Sequence, residues 1–479
     1  MTETIRRGFG SALTRRNLLS RLLLGSGAVL TALHLDALAL EATRKAKVLL
    51  HGLPDLPKGL EDAVNFPLIE AIHGRRARRF SLGAAIPEGP TAYTSRHKPM
   101  PLDELERMMV LTTVAGNTGW LNLHPFNPRY VPGIPNYAAA AGGRTFPSSA
   151  GFHTSEIFFT DDSGTYFFAT RDLHPTTGVS GPEGLKLKPY LDEHRKRIRK
   201  LSDKRIHLPA EPSHIEMHNP WCVNVPGSTL FIPVADLAQH HIAVLCYLVQ
   251  NGACIFDDVT KAEIPGLERF SSLVDLKNPY PLSYVEQLTL TEATVEIGTA
   301  CYAGMLMLQA MGLGGWMFDG ITPLSVLGAS GDPNVPGLGF RADTDTRFVL
   351  PNPTGLEGVF EGFCPPHYKD MRAAVEAFVE RKFGSGGPFN NSTPGPYREN
   401  PRVRGAGRVH DALFTDCVAT MASYVYEKFG RFPGTVPSIF VLMYLQAHHL
   451  DTDFYDRHFA PGSYLETHAA HMKRWHGSA

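Results

Sequence analysis

The sequence has no Cys-x-x-Cys pair, and its six cysteines are scattered singly: Cys222, Cys246, Cys254, Cys301, Cys364 and Cys417. This spacing argues against a zinc ribbon or a thioredoxin-type redox pair, so we expect small buried apolar residues instead. An excess of one charge is also missing, because 46 basic residues balance 47 acidic ones. That balance gives no reason to expect nucleic acid or an anionic membrane as a partner. Beyond residue 39, no apolar run reaches the length of a transmembrane helix.

Two adjacent arginines near the start, Arg15 and Arg16, precede a short apolar segment from Leu22 to Leu33. This segment is too short to span a bilayer, and Ala37 and Ala39 follow it with the spacing that a signal peptidase requires. Residues 1–39 therefore resemble a twin-arginine export signal. The resemblance implies a periplasmic protein that the twin-arginine translocation machinery exports in the folded state. A basic amphipathic helix at the membrane surface is the alternative.

Local sequence patterns predict a mixture of helices and strands. Two aromatic runs, Glu156 to Thr160 and Thr165 to Ala169, flank a short turn and predict a β-hairpin. Apolar and small residues at helical spacing predict a buried helix from Glu292 to Met311. Further helices are predicted at Asp192 to Arg205, Ala235 to Gln250, Tyr368 to Phe383, Asp411 to Phe429, Pro437 to His449 and Tyr464 to Trp475. A long loop from Gly384 to Gly407 is expected to be functional or mobile.

Three distant segments carry residues that suit one ligand. The basic segment, Gly74 to Phe80, holds four arginines whose guanidinium groups match a phosphate. The serine turn, Pro147 to His153, offers hydroxyl groups and backbone N–H groups to a flat polar ring. The glycine segment, Gly312 to Gly315, follows a helix and allows a ligand to approach the backbone closely.

In this order, the three segments resemble the motifs of the FMN-dependent nitroreductase superfamily, and the serine turn is most similar to that of the azoline-oxidase branch. The similarity covers about Phe66 to Pro351. It implies an α+β fold, with a small, mostly antiparallel sheet wrapped by helices, and a homodimer with FMN at the subunit interface. We expect the FMN-binding domain at residues 40–350 and a helical C-terminal extension at residues 351–479.

The resemblance also implies the residues that hold the cofactor: Arg75, Arg76, Arg78, Pro147, Ser148, Ser149, Gly312, Leu313, Gly314, Gly315 and Arg341. The flavin would transfer hydride or electrons through N5 to a small organic acceptor. His153 is the candidate catalytic residue, because a histidine exchanges a proton near neutral pH. The substrate and the electron donor are not specified by any residue.

Two alternative functions remain. The chain departs from the family pattern at Gly74, where arginine is usual, and at Gly151, where many members have asparagine; such a protein could serve as a binding partner without FMN. The second alternative is a metal-dependent hydrolase that uses the C-terminal histidines: His448, His449, His468, His471 and His476. Since no defining ligand spacing accompanies these histidines, we assign no metal ligand from the sequence.

Overall fold

The computed structural model describes residue 50 and residues 56–124, 136–174 and 184–477. The predicted twin-arginine signal lies outside these residues. Within the described part, none of the helices combines the length and the apolar character needed to cross a lipid bilayer.

The helices of the described residues differ widely in length and are numbered in chain order. They are α1 (Lys58–Asn65), α2 (Leu68–Gly74), α3 (Glu104–Ala115), α4 (Leu187–Arg195), α5 (Leu237–Gln250), α6 (Leu282–Met311), α7 (Pro323–Leu327), α8 (Met371–Phe383), α9 (Asn400–Arg404), α10 (Ala412–Phe429), α11 (Thr452–His458) and α12 (Glu466–Trp475). Two short 3-10 helices span Ser149–Gly151 and Leu267–Phe270.

The strands are mostly short and are numbered in the same way. They are β1 (Ala85–Ile86), β2 (Tyr93–Thr94), β3 (Asn117–Trp120), β4 (Gly142–Arg144), β5 (Ser155–Asp161), β6 (Gly164–Phe168), β7 (Ile198–Ser202), β8 (Thr229–Asp236), β9 (Ile255–Phe256), β10 (Tyr280–Pro281), β11 (Gly314–Phe318), β12 (Arg341–Asp343), β13 (Asn352–Leu356), β14 (Phe360–Glu361), β15 (Ile439–Phe440) and β16 (Tyr444–His448).

One seven-stranded sheet forms the centre of the fold, with the order β11-β16-β8-β5-β6-β7 and with β15 also paired to β8. Every pairing in this sheet is antiparallel. Small two- and three-stranded sheets lie apart from it. The pair of β9 and β10 is parallel. The chain thus combines helices with mostly antiparallel sheets, as expected.

The predicted hairpin is present as β5 and β6, because both runs are rich in aromatic residues that favour strands. Phe159 stacks on Tyr166 across the pair, with ring centroids 4.7 Å apart. All seven residues of β5 are buried, because both faces of the strand are covered: Ile157 and Phe159 pack into one core cluster and Phe158 packs into another.

The long helix α6 runs through the core and carries Glu296, Gly304 and Gln309. A Cβ atom on Gly304 would lie 2.8 Å from Val114 of α3 and 2.3 Å from Leu445 of β16, so glycine permits both contacts. Met305 and Leu308 are buried on the same helix, and each such burial contributes about 1.5–3 kcal/mol. The predicted helix from Glu292 is confirmed, although it begins earlier, at Leu282.

Two of the predicted helices are wrong. The segment from Pro437 to His449 forms β15 and β16, and all five residues of β16 are buried. A strand buried on both faces lacks polar alternation, so its pattern resembles that of a buried helix. In the segment from Asp192 to Arg205, α4 ends at Arg195 and β7 begins at Ile198. The charged residues of β7 lie on an edge strand, where exposed charge is common.

The segment after residue 350, which we expected to be helical, contains the strands β13 to β16 as well as helices. Strand β16 inserts between β11 and β8 and completes the central sheet. The division at residue 350 stays a prediction. All six cysteines are free and buried, as the sequence predicted.

Candidate functional site

The structure brings the basic segment and the glycine segment together. The Arg78 N–H donates to the Gly315 carbonyl at 3.1 Å, and the Gly315 N–H donates back to the Arg78 carbonyl at 2.9 Å. The chain after β16 pairs with the same segment, because the Asp451 N–H donates to the Phe80 carbonyl at 3.2 Å. Two regions that lie more than 200 residues apart in sequence therefore form one surface.

The Arg78 side chain is buried and lacks a counter-charge. Its guanidinium group donates to Gln309 Oε1 at 2.6 Å, to the Ser463 carbonyl at 3.0 Å and to the Gly74 carbonyl at 3.2 Å. These three acceptors are neutral, and among the described residues no carboxylate lies within ion-pair distance of the group. Burial lowers the pKa of Arg78 to about 10, which leaves it cationic at neutral pH. A buried cation without an anion is costly and points to an external counter-ion.

The other arginines of the basic segment are more accessible. The Arg79 guanidinium lies 4.3 Å from the ring centroid of Trp316, and that of Arg75 lies 5.9 Å from the ring of Tyr302. Arg76 is exposed and donates only to backbone carbonyls. None of the three forms an ion pair with a described carboxylate. The segment thus offers a cluster of unneutralised positive charge beside an aromatic surface.

The glycine segment is buried by the chain itself. Gly312 has φ +77° and ends α6, and a Cβ atom there would lie 2.1 Å from the Thr467 carbonyl oxygen. A Cβ atom on Gly314 would lie 2.7 Å from the His448 ring. Leu313 is also buried. Internal packing accounts for these residues, so flavin contact at Gly312 to Gly315 stays a prediction that this geometry does not favour.

The serine turn is held by a buried carboxylate of α6. The Ser148 hydroxyl donates to Glu296, and it accepts from the His153 N–H at 2.8 Å. The other Glu296 oxygen accepts from the Thr154 N–H and the Ser155 N–H, both at 3.0 Å. The sequence did not single out Glu296, because α6 also carries Glu286 and Glu292. Pro147 is exposed and Ser149 is half-buried at the surface of this turn.

His153 is buried, with 3 % of its surface exposed, and its backbone has φ +48°. Its ring packs edge-on against Phe146, and its Nδ1 has no hydrogen-bond partner. Burial lowers the pKa of His153 to about 4. The ring is therefore neutral at neutral pH, which contradicts our expectation of ready proton exchange there.

The serine turn lies far from the other two segments within one chain. Glu296, which holds the turn, precedes Gly312 by 16 residues on the same helix, which corresponds to roughly 24 Å of helix length. One chain therefore carries two separate half-sites. The basic and glycine segments form one of them, and the serine turn forms the other.

Arg341, the remaining predicted phosphate ligand, lies on β12. Its guanidinium pairs with Glu361 on β14 of the same small sheet. Since this charge is already neutralised, a role for Arg341 toward a phosphate stays a prediction that the pairing weakens.

The C-terminal histidines do converge, but around a residue that the sequence did not associate with them. His449, His471 and His476 surround Glu106 of α3. His468 lies on α12 outside this cluster and accepts a hydrogen bond from the Leu465 N–H. The sequence did not reveal this cluster, because Glu106 precedes His449 by 343 residues.

Comparison of the chain with known proteins gives no family assignment. No family model matches the chain, and no curated protein matches it. Among solved structures, the chain is similar to a candidate nitroreductase from Ralstonia eutropha JMP134, with 12% identity and a TM-score of 0.25. The similarity covers 58% of this chain and 80% of that one. A likeness at this level carries no argument about fold or activity.

Proposed function

We propose that this protein is an FMN-dependent oxidoreductase that acts as a homodimer. The observation that carries the proposal is the buried Arg78 guanidinium, which has three neutral acceptors and no carboxylate partner among the described residues. The terminal phosphate of FMN would supply the missing negative charge. Arg75 and Arg76 add accessible guanidinium groups on the same segment, and such groups bind phosphate oxygens in pairs.

The residues present fit the phosphate better than they fit the ring. Four of the five residues from Arg75 to Arg79 are arginines, and none of the four forms an ion pair with a described carboxylate. The buried glycine segment offers no open backbone to a flavin. FMN, when bound, supplies hydride or electron transfer through its N5 atom. The chain's own contribution in this proposal is to neutralise the phosphate and to hold the ring between two subunits.

The separation of the two half-sites supports a dimer in which each subunit completes the other. A two-fold axis would place two equivalent composite sites in one interface, because the same surface of each subunit takes part. Helix α6 carries exposed apolar residues near the half-sites: Val295 is 49% exposed and Tyr302 is 38% exposed. Neighbouring α2 exposes Leu68 and Ile69 at 66% and 69%. Gly298 lies between Val295 and Tyr302, and a Cβ atom there would meet no other atom within 4 Å. A second copy of this chain is the occupant we propose for that surface.

We further propose that the protein is exported to the periplasm, on the basis of Arg15, Arg16 and the apolar segment that follows them. The cofactor would then be bound before export, since the twin-arginine route carries folded proteins. The acceptor is a small organic molecule, and the electron donor must be available outside the cytoplasm.

One observation favours a second candidate function, a binding protein of similar fold without FMN. The space that the resemblance assigns to the flavin at the glycine segment is filled by Thr467 of α12 and by His448. In that case, the arginines of the basic segment would bind another anion, or an acidic surface of a partner protein.

The absorption spectrum of the protein purified in its native state distinguishes these functions. Flavin bands at roughly 370 and 450 nm, together with release of FMN on denaturation, are the expected result. Light scattering on the same sample should give the mass of two chains. A colourless protein that also fails to bind added FMN would overturn the proposal.

A further inference from the structure

Glu106 is a fully buried carboxylate with two different environments for its oxygens. It lies in the first turn of α3, where Oε2 accepts from the Asp103 N–H at 2.7 Å and completes a capping box. The other oxygen, Oε1, takes no part in this capping contact. The capping contact therefore fixes the direction in which Oε1 points.

Three imidazole nitrogens converge on this oxygen. The Nε2 atoms of His449, His471 and His476 lie 3.1, 2.9 and 3.0 Å from Oε1. His449 follows β16, while His471 lies on α12 and His476 directly after it. The four side-chain atoms all lie within 4.8 Å of one another. Three separate parts of the chain thus meet at one buried point.

The far sides of two rings show which nitrogen carries the hydrogen. His449 Nδ1 lies 2.9 Å from the Met100 carbonyl oxygen, and His471 Nδ1 lies 2.8 Å from the Met311 carbonyl oxygen. A carbonyl oxygen only accepts, so each Nδ1 must carry the hydrogen. In the neutral rings, each Nε2 therefore presents a lone pair to Glu106. Backbone carbonyls orient metal-binding histidines in this same way.

Hydrogen bonds alone do not account for three imidazole rings around one buried carboxylate. His449 Nε2 lies 3.1 Å from Oε1 and 3.2 Å from Oε2, and His449 and His471 could donate to the carboxylate only as imidazolium rings, because each Nδ1 hydrogen already faces a carbonyl. Among the described residues, His471 Nε2 has no hydrogen-bond partner, although it is buried and lies 2.9 Å from Oε1. Three imidazolium rings around one carboxylate would also bury a net positive charge of about two, which is costly.

A single cation would satisfy all four ligand atoms at once. Three imidazoles and one carboxylate suit zinc and neighbouring first-row metals. Calcium and magnesium prefer oxygen ligands. In a tetrahedral zinc site, adjacent ligand atoms are about 3.3 Å apart, so a small outward movement of the side chains would accommodate the ion.

We propose that Glu106, His449, His471 and His476 bind a divalent first-row transition metal, with Zn²⁺ as the reference ion, in a closed structural site. Four protein ligands fill a tetrahedral coordination sphere and leave no position for a substrate. The ion would fix α12 and the chain after β16 against α3. This role is independent of the proposed flavin chemistry, and it differs from that of a metal-dependent hydrolase, which needs an open position.

The test uses the full chain, treated with a chelator and then titrated with ZnCl₂ alone. We expect one Zn²⁺ per chain by calorimetry and a higher melting temperature in its presence. Cobalt(II) should give the visible absorption bands of a tetrahedral nitrogen and oxygen site. A wild-type chain that binds no Zn²⁺ stoichiometrically and shows no change in melting temperature would overturn the proposal.

Two variants separate binding from folding. His471→Ala removes a ligand and should weaken Zn²⁺ binding by more than the roughly 10- to 100-fold that loss of an outer partner costs. His468→Ala removes another buried histidine of α12, one turn away, and should leave Zn²⁺ binding unchanged whatever its effect on melting temperature. Equal Zn²⁺ affinity in both variants would contradict the assignment of His471.

Discussion

The Arg78 guanidinium donates a hydrogen bond to Gln309 Oε1 at 2.6 Å, so a buried cation on the basic segment meets an amide rather than a carboxylate on α6. The same glutamine donates from Nε2 to the Met305 carbonyl at 2.9 Å, which orients its oxygen toward Arg78. The amide solvates the cation without neutralising it. The net positive charge of this surface therefore remains available to a ligand.

Replacing that amide by a carboxylate should reduce FMN binding. In Gln309→Glu, the new carboxylate neutralises Arg78 from within, and a charged hydrogen bond of this kind contributes about 1.5–3 kcal/mol. We expect FMN affinity to fall by about 10-fold or more, with the melting temperature unchanged or raised. Fluorescence titration of the FMN-free protein measures the affinity. Gln309→Met, which is similar in size and uncharged, serves as the control, and equal FMN affinity in the wild type and Gln309→Glu would contradict the charge argument.

Removing the cation itself should have the same effect on the flavin. Arg78→Ala deletes the buried guanidinium, and we expect the purified variant to retain less FMN per chain than the wild type. The matched control is Arg199→Ala on the edge strand β7, where the side chain donates only to the Gly358 carbonyl. Flavin absorbance relative to protein gives the occupancy, and circular dichroism verifies folding. A folded Arg78→Ala protein with full flavin occupancy would remove Arg78 from the site.

A charge on the exposed face of α6 should break the dimer. Val295 is 49% exposed and lies next to Glu296, so Val295→Asp places a carboxylate in the proposed interface. We expect light scattering to give the mass of one chain, with flavin lost in parallel because each site needs both subunits. Val349→Asp is the control, since Val349 is 99% exposed and lies between β12 and β13 rather than on α6. A variant that stays dimeric would show that the second copy packs elsewhere.

The buried His153 should make stability depend on pH. Burial holds its pKa at about 4, below the ordinary value of 6.5, so the unfolded chain binds a proton more readily than the folded one. The resulting stability is present above pH 6.5 and is lost as pH falls toward 4, by up to about 3 kcal/mol. Urea unfolding of the wild type and His153→Gln between pH 4 and 7 measures this difference. A constant difference between the two proteins would show that His153 titrates normally.

Local patterns in the sequence were sufficient to predict the elements that are stabilised by contacts between residues close in sequence. The hairpin of β5 and β6 and the helix α6 are correctly predicted, because aromatic pairing and helical periodicity appear within a short window. The start of helix α3 is a local feature of the same kind, because Asp103 and Glu106 form a capping box there.

Elements that depend on distant partners could not be predicted in this way. Strand β16 is buried on both faces and pairs with β11 and β8, neither of which is near it in sequence. The same limit applies to the site. The segments at Arg78 and Gly315 were correctly associated, whereas the covering of Gly312 by Thr467 required knowledge of where α12 lies. The cluster around Glu106 was missed for the same reason.

The position of β16 in the central sheet has a consequence for biosynthesis. The strands β8 and β11 leave the ribosome first, and more than 120 residues must follow β11 before β16 can join them. Until then, the two parts of the sheet expose unpaired backbone edges, which are sites of aggregation. We therefore expect that chaperones recognise the edges of β8 and β11 on the nascent chain until β16 has been synthesised.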